Sequence, residues 1–74
     1  MTLNDLRTGE KCRVLEVGSQ GAVRRRLFDM GITPGTIIIL RKKAPFGDPL
    51  LLALRGYQLS IRKKEAKEIK IEKL

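Results

Sequence analysis

The sequence predicts a mainly β fold, a small closed or nearly closed barrel of about five short strands with one helix inserted after the first. Three observations predict it. Short apolar or β-branched segments recur between turns marked by glycine and proline. Only the stretch after Gly21 carries apolar residues at helical spacing. And 74 residues bury only roughly 60% of the surface the unfolded chain exposes, so a sheet this small guards its edges best by closing on itself. The whole chain, 1–74, is read as one domain.

The opening Leu3-Asn4-Asp5-Leu6-Arg7-Thr8-Gly9 is short and ends in glycine, and reads as a turn leading into a strand over Lys11 to Val17. Gly18-Ser19-Gln20-Gly21 breaks that strand. Ser19 is placed to cap a helix that begins near Gly21, in which Val23, Leu27 and Met30 line one face. Gly31 follows as a left-handed cap, giving about three turns. Thr33-Pro34-Gly35-Thr36 has proline and glycine where a type II turn needs them. The isoleucine-rich run Thr36 to Lys43 is the second strand. Ala44 to Pro49 forms a loop in which Pro45 and Gly47 suit a type I turn and Pro49 forces Asp48 to be extended. Leu50 to Arg55 is the third strand, and Gly56 a bulge or sharp corner. Tyr57, Leu59 and Ile61 then alternate with polar residues as an inward face. Lys63-Lys64-Glu65-Ala66 reads as one helical turn, and Ile69 with Ile71 as a last strand.

Sixteen Lys and Arg against eight Asp and Glu give a net charge of +8, a field that favours anionic partners. The chain has no His, which removes the commonest general base and metal ligand, so neither catalysis nor tight metal binding is expected. Its one cysteine, Cys12, can close no internal disulfide, fits a reducing compartment, and reads as a small buried hydrophobe. The N-terminus has Asp5 where a signal peptide would be apolar, and no window is long and apolar enough to span a bilayer, so a cytoplasmic location is expected. No phosphate-cradling glycine motif is present. No cofactor is expected. Asp29, Asp48 and Glu65, the carboxylates nearest to hand for iron, have no ligand spacing.

The run RRRLFDMGITPGT, Arg24 to Thr36, and the run KKAPFGDPLLLALRGYQLSIRKKEA, Lys42 to Ala66, together with the opening LNDLRTGEKCRV, resemble the FeoA family. The resemblance covers nearly the whole chain. It implies an SH3-like barrel and a cytoplasmic accessory role in bacterial ferrous iron transport, alongside FeoB, a membrane transporter with a cytoplasmic G-protein domain. The module also looks like the C-terminal domain of some metal-dependent repressors. A free-standing chain favours the transport reading.

Docking is therefore the expected activity. The contact elements expected are the inserted helix, through Val23, Arg24, Arg25 and Phe28, and the loop Pro45-Phe46-Gly47-Asp48, because the barrel core does not demand either in full. Arg24-Arg25-Arg26 fans around the helix by about 100° per residue, and Arg25 and Asp29 stand four apart, where they can pair. Ile37 to Leu40 and Leu50 to Leu54 are apolar on both strand faces. The helix and the Phe46 loop are expected to cover the second face; left uncovered, that face would be a protein-contact site. The rival from another class is a basic barrel that binds RNA. Against it, Phe28, Phe46 and Tyr57 make a poor stacking platform, and they line no groove for proline-rich peptides. Weak self-association through the isoleucine-rich strand stays open.

Overall fold

A computed structural model of the chain describes residues 1–18 and 20–74. Strand β1 covers Lys11–Val17, helix α1 Gly21–Asp29, β2 Ile37–Lys43, β3 Leu50–Leu54, β4 Tyr57–Ile61, the short helix α2 Lys63–Ala66, and β5 Ile69–Lys73. The strands form one antiparallel sheet in the order β4-β3-β2-β1-β5. Two breaks in register, at Leu15 of β1 and Arg41 of β2, bend the strands and coil the sheet toward closure. α2 joins the two edge strands across the gap.

Strand alternation does most of the sorting. Cys12, Val14, Ile38, Leu40, Leu50, Leu52, Leu54, Ile61, Ile69 and Ile71 point inward and are buried. The opening turn contributes more than its polar look suggests. Leu3 and Leu6 stand at the three-residue spacing of a 3₁₀ turn over Leu3–Asp5, and both are fully buried at one end of the barrel. The Asp5 carboxylate secures this turn by accepting the Thr2 N–H at 2.8 Å. Met1 lies beside β5, its carbonyl accepting the Ile71 N–H at 3.0 Å.

Helix α1 ends as expected. Gly31 sits at φ +94°. The Gly31 N–H reaches the Phe28 carbonyl at 2.9 Å and the Ile32 N–H the Leu27 carbonyl at 3.0 Å, with Leu27 and Ile32 packed in the core. That pairing is a Schellman cap with its apolar contact. At the other end, the residue at the cap position is Gln20, without a side-chain bond; Ser19, expected there, lies outside the described residues. Only Leu27 of the expected inner face is buried. Met30 is half-buried and Val23 is 42% exposed, because the first turns of α1 stand off the barrel.

Of the three turns that composition predicts, one differs in type, and at Gly56 the expected sharp corner forms in place of the bulge. Thr33–Thr36 closes with the Thr36 N–H on the Thr33 carbonyl at 3.0 Å, and Gly35 at φ +93° fits type II. The Pro45–Gly47 turn is not type I: Phe46, at its third position, has φ +70° and ψ +9°, the type II corner usually left to glycine. The Asp48–Pro49 bond is cis, and Asp48 is extended at φ −147°. Gly56 is no bulge. β3 ends at Leu54, and Arg55 and Gly56, at φ +48° and +85°, form the two-residue turn of a hairpin.

The second apolar face is not covered as expected. Phe46 is 98% exposed and shields nothing, and Ile37 remains 39% exposed on the outer face beside the half-buried Ile39, Leu51 and Ala53.

Candidate functional site

Helix α1 presents Val23, Arg24 and Arg25 to solvent, while Phe28 rests half-buried against the core. The Arg24 guanidinium lies over the Phe28 ring, 4.8 Å from its centre. This arrangement spreads a cationic plane across an aromatic face. Among the described ion pairs there is none between Arg25 and Asp29; the arginine that pairs is Arg26, and it does so with Glu65 of α2.

Glu65 is the hinge of the site. Its Oε1 accepts the Arg62 N–H at 2.8 Å and so caps α2. Its Oε2 is shut off from solvent and makes no regular hydrogen bond. What neutralises it is the Arg26 guanidinium, which thereby ties α1 to α2. On the far side of α2, the Asp48 carboxylate accepts the Lys63 N–H at 3.1 Å and lies 4.0 Å from the Arg62 guanidinium. Both expected contact elements are thus fastened to one short helix.

Between them run two adjoining grooves. One, of about 460 Å³, is walled by Arg26, Met30, Pro49, Ile61, Arg62 and Glu65; the other, of about 380 Å³, by Gln20, Val23, Arg26, Arg62, Lys64 and Glu68. Val23 lines the second groove and Pro49 ends the loop beside the first. Arg24, Arg25 and Phe28 face a neighbouring hollow on the outer side of α1. Pro45, Phe46, Gly47 and Asp48 line neither groove; they stand beyond Pro49, with Phe46 outermost.

The charge is just as uneven. Glu10, Glu16, Asp48, Glu65 and Glu72 are engaged by Lys73, Lys70, Arg62, Arg26 and Arg13. Arg24, Arg25, Lys42, Lys63 and Lys64 make no such pair among the described residues. Walls of arginine stems and aliphatic side chains under unpaired cations can hold an acidic, partly apolar segment of another macromolecule.

Sequence reasoning missed four residues that shape this site. Arg26 and Glu65 were hidden because their pairing crosses from one helix to another; the glutamate at the third position of a helical turn was the only signal. Arg55 reaches back from the hairpin to donate to the Thr33 and Thr36 hydroxyls at 3.3 and 3.0 Å. Tyr57, expected on the inward face, is 42% exposed, and its hydroxyl donates to the Met30 carbonyl at the end of α1. Tyr57 thus holds the carbonyl end of the helix directly, while Arg55 braces the turn behind it, where the Thr36 hydroxyl donates to the Gly31 carbonyl at 3.1 Å.

Cys12 sits fully buried in β1, and burial pushes its thiol up to about 11. Glu10 is held below its usual carboxyl value, chiefly by the Lys73 ammonium and then by the Arg7 N–H. Among the described residues, no three acidic or cysteine side chains gather where a metal ion could be held, and no helix is long and apolar enough to cross a membrane.

Comparison with known proteins places this architecture. Residues 1–73 match the model of the FeoA domain. A FeoA-like protein of Clostridium acetobutylicum superposes with a TM-score of 0.92 at 47% identity, covering 100% of this chain and 86% of that one. A zinc-complexed FeoA of Stenotrophomonas maltophilia, described as a prokaryotic SH3 domain protein, superposes with a TM-score of 0.85 at 29% identity, over 97% of this chain and 89% of that one. A fusion of Fe(2+) transport protein A with the Fe(2+) transporter FeoB in Porphyromonas gingivalis is 32% identical over 72 residues, which is 97% of this chain. The chain spans only 8% of that relative's length. With a five-stranded SH3-like barrel, one inserted helix and a family match over nearly every residue, the chain belongs to the FeoA domain family.

Proposed function

We propose that the chain is a non-catalytic accessory of bacterial ferrous iron uptake that acts in the cytoplasm by docking on the G-protein part of a FeoB-like transporter. The observation that carries this reading is the Porphyromonas gingivalis relative, in which a segment 32% identical to this chain and FeoB are one polypeptide. Fusion holds two modules at high effective concentration, which is useful when they meet. The proposed contact is α1, through Val23, Arg24, Arg25 and Phe28, with the loop Pro45-Phe46-Gly47-Asp48 as the second element across the grooves. Apolar contact supplies affinity, and the surplus of cations steers an acidic partner in.

The test is a titration of the transporter's soluble cytoplasmic domain, with and without guanine nucleotide. Arg24→Glu with Arg25→Glu is expected to weaken binding about tenfold or more, since each reversal turns attraction into repulsion at the contact. The melting temperature should fall only slightly, because neither arginine is ion-paired or buried and only the exposed stacking of Arg24 on Phe28 is lost. Absence of binding in every nucleotide state, with tight and steeply salt-dependent binding to RNA instead, would replace this reading by the nucleic-acid one.

A further inference from the structure

The loop between β2 and β3 carries the most exposed of the large apolar side chains, Phe46, at 98%. Its backbone, at φ +70°, is one that side chains other than glycine rarely adopt. The ring gains nothing within the molecule for either the strain or the exposure. Around its base stand cations from two elements. Lys42 and Lys43 close β2, the Lys43 ammonium turned away to donate to the Asn4 carbonyl at 3.1 Å and Lys42 exposed, and Ala44 beyond them gives its N–H to the Pro49 carbonyl at 3.0 Å. Arg62, Lys63 and Lys64 open α2, and the Lys63 ammonium comes within 4.0 Å of where a Cβ on Gly47 would stand. The loop's one carboxylate, Asp48, is already engaged by Arg62 and the Lys63 N–H.

We propose that this tip is a peripheral contact for an anionic lipid surface, with Phe46 seated at the boundary of headgroups and acyl chains and Lys42, Arg62 and Lys63 against the headgroup phosphates. The inference goes beyond the docking proposal and does not rest on it. Taken by itself, apart from α1, the tip has a shape that suits lipid better than protein. A stable protein contact needs about 800 Å² from each partner, and a convex six-residue tip with one ring offers far less. A bilayer asks only for an apolar apex to enter it and for set-back cations to meet its charge, and each cation near the surface adds to the attraction.

The experiment uses the full chain with vesicles of phosphatidylcholine alone or mixed with phosphatidylglycerol. The protein has no tryptophan, so Phe46→Trp introduces a lone indole at the tip. Its emission is expected to shift to the blue with the anionic vesicles and to stay unshifted with the neutral ones. In flotation, Phe46→Ser should lower anionic-vesicle binding about tenfold or more, and Lys63→Ala about fivefold. Phe46→Gly serves as the folding control: it relieves the backbone and should melt no lower than the parent while losing vesicle binding equally. An unshifted indole, or flotation indifferent to Phe46, overturns the proposal. Failure of the docking reading shows instead in the lipid-free titration of the Arg24 and Arg25 reversal.

Discussion

At the scale of single residues, Cys12 shows how position overrides chemistry. In β1 it pairs with Ile38 and faces the core with no solvent exposure, so burial disfavours the thiolate and holds the proton. Its folded value lies near 11, against an ordinary 9.0. Between those values the folded chain keeps a proton that the unfolded chain releases. This contribution to stability is therefore intact below pH 9.0 and is lost as pH climbs toward 11. We expect maleimide at pH 8 to leave native Cys12 unmodified and to label it as denaturant unfolds the chain. Labelling of the folded protein at the unfolded rate would contradict this. The sequence made the burial legible, because a cysteine that shares its face with Val14 and alternates with Arg13 falls on a strand's inner face. It could not show Phe46 in a glycine-like corner, since proline before it and glycine after it suit several turns.

At the scale of elements, α1 is attached to the barrel by few points: Leu27 in the core, the Schellman cap behind it, the Arg26–Glu65 pair and the Tyr57 hydroxyl on Met30. Leu27→Ala should cost about 3 kcal/mol, in the range for a large buried aliphatic cut back to methyl. For a domain of this size that lowers the melting temperature by about 15 °C. Hydrogen exchange should locate the damage in α1 before the sheet, because the helix has the fewest other anchors. Uniform loss of protection across β1 to β5 would argue that α1 belongs to one cooperative unit with the barrel. The strands themselves were legible because inward and outward residues alternate, and β1 was bounded to the residue. The register breaks at Leu15 and Arg41 were not, since a bulge leaves no mark in an apolar pattern. Val23 was misplaced for a related reason. Helical spacing states which residues share a face, and leaves open how far along the helix that face stays against the core.

At the scale of the whole molecule, the charge of +8 is sorted by the fold. The described ion pairs engage Glu10, Glu16, Asp48, Glu65 and Glu72, while cations on α1 such as Arg24 and Arg25 and on α2 such as Lys63 and Lys64 have no such partner among the described residues. Composition predicts an anionic partner, and the fold sets which cations stand exposed to meet one. Association with the transporter's domain should therefore slow several-fold as salt is raised through the physiological range, where charges more than about 8 Å apart become screened. Dissociation should change little. Stopped-flow rates independent of salt would remove electrostatic steering from the mechanism.

The seating of Met1 against β5 has a topological corollary. Ile71 is bonded to Met1 and Leu74 is three residues further on, so about 10 Å of extended chain separates the two ends. A short bridge could join them, and the Arg55-Gly56 hairpin tip offers an exposed place to cut. The barrel can then be circularly permuted: strand order in space is indifferent to where synthesis starts, and β4 could lead the chain as readily as β1.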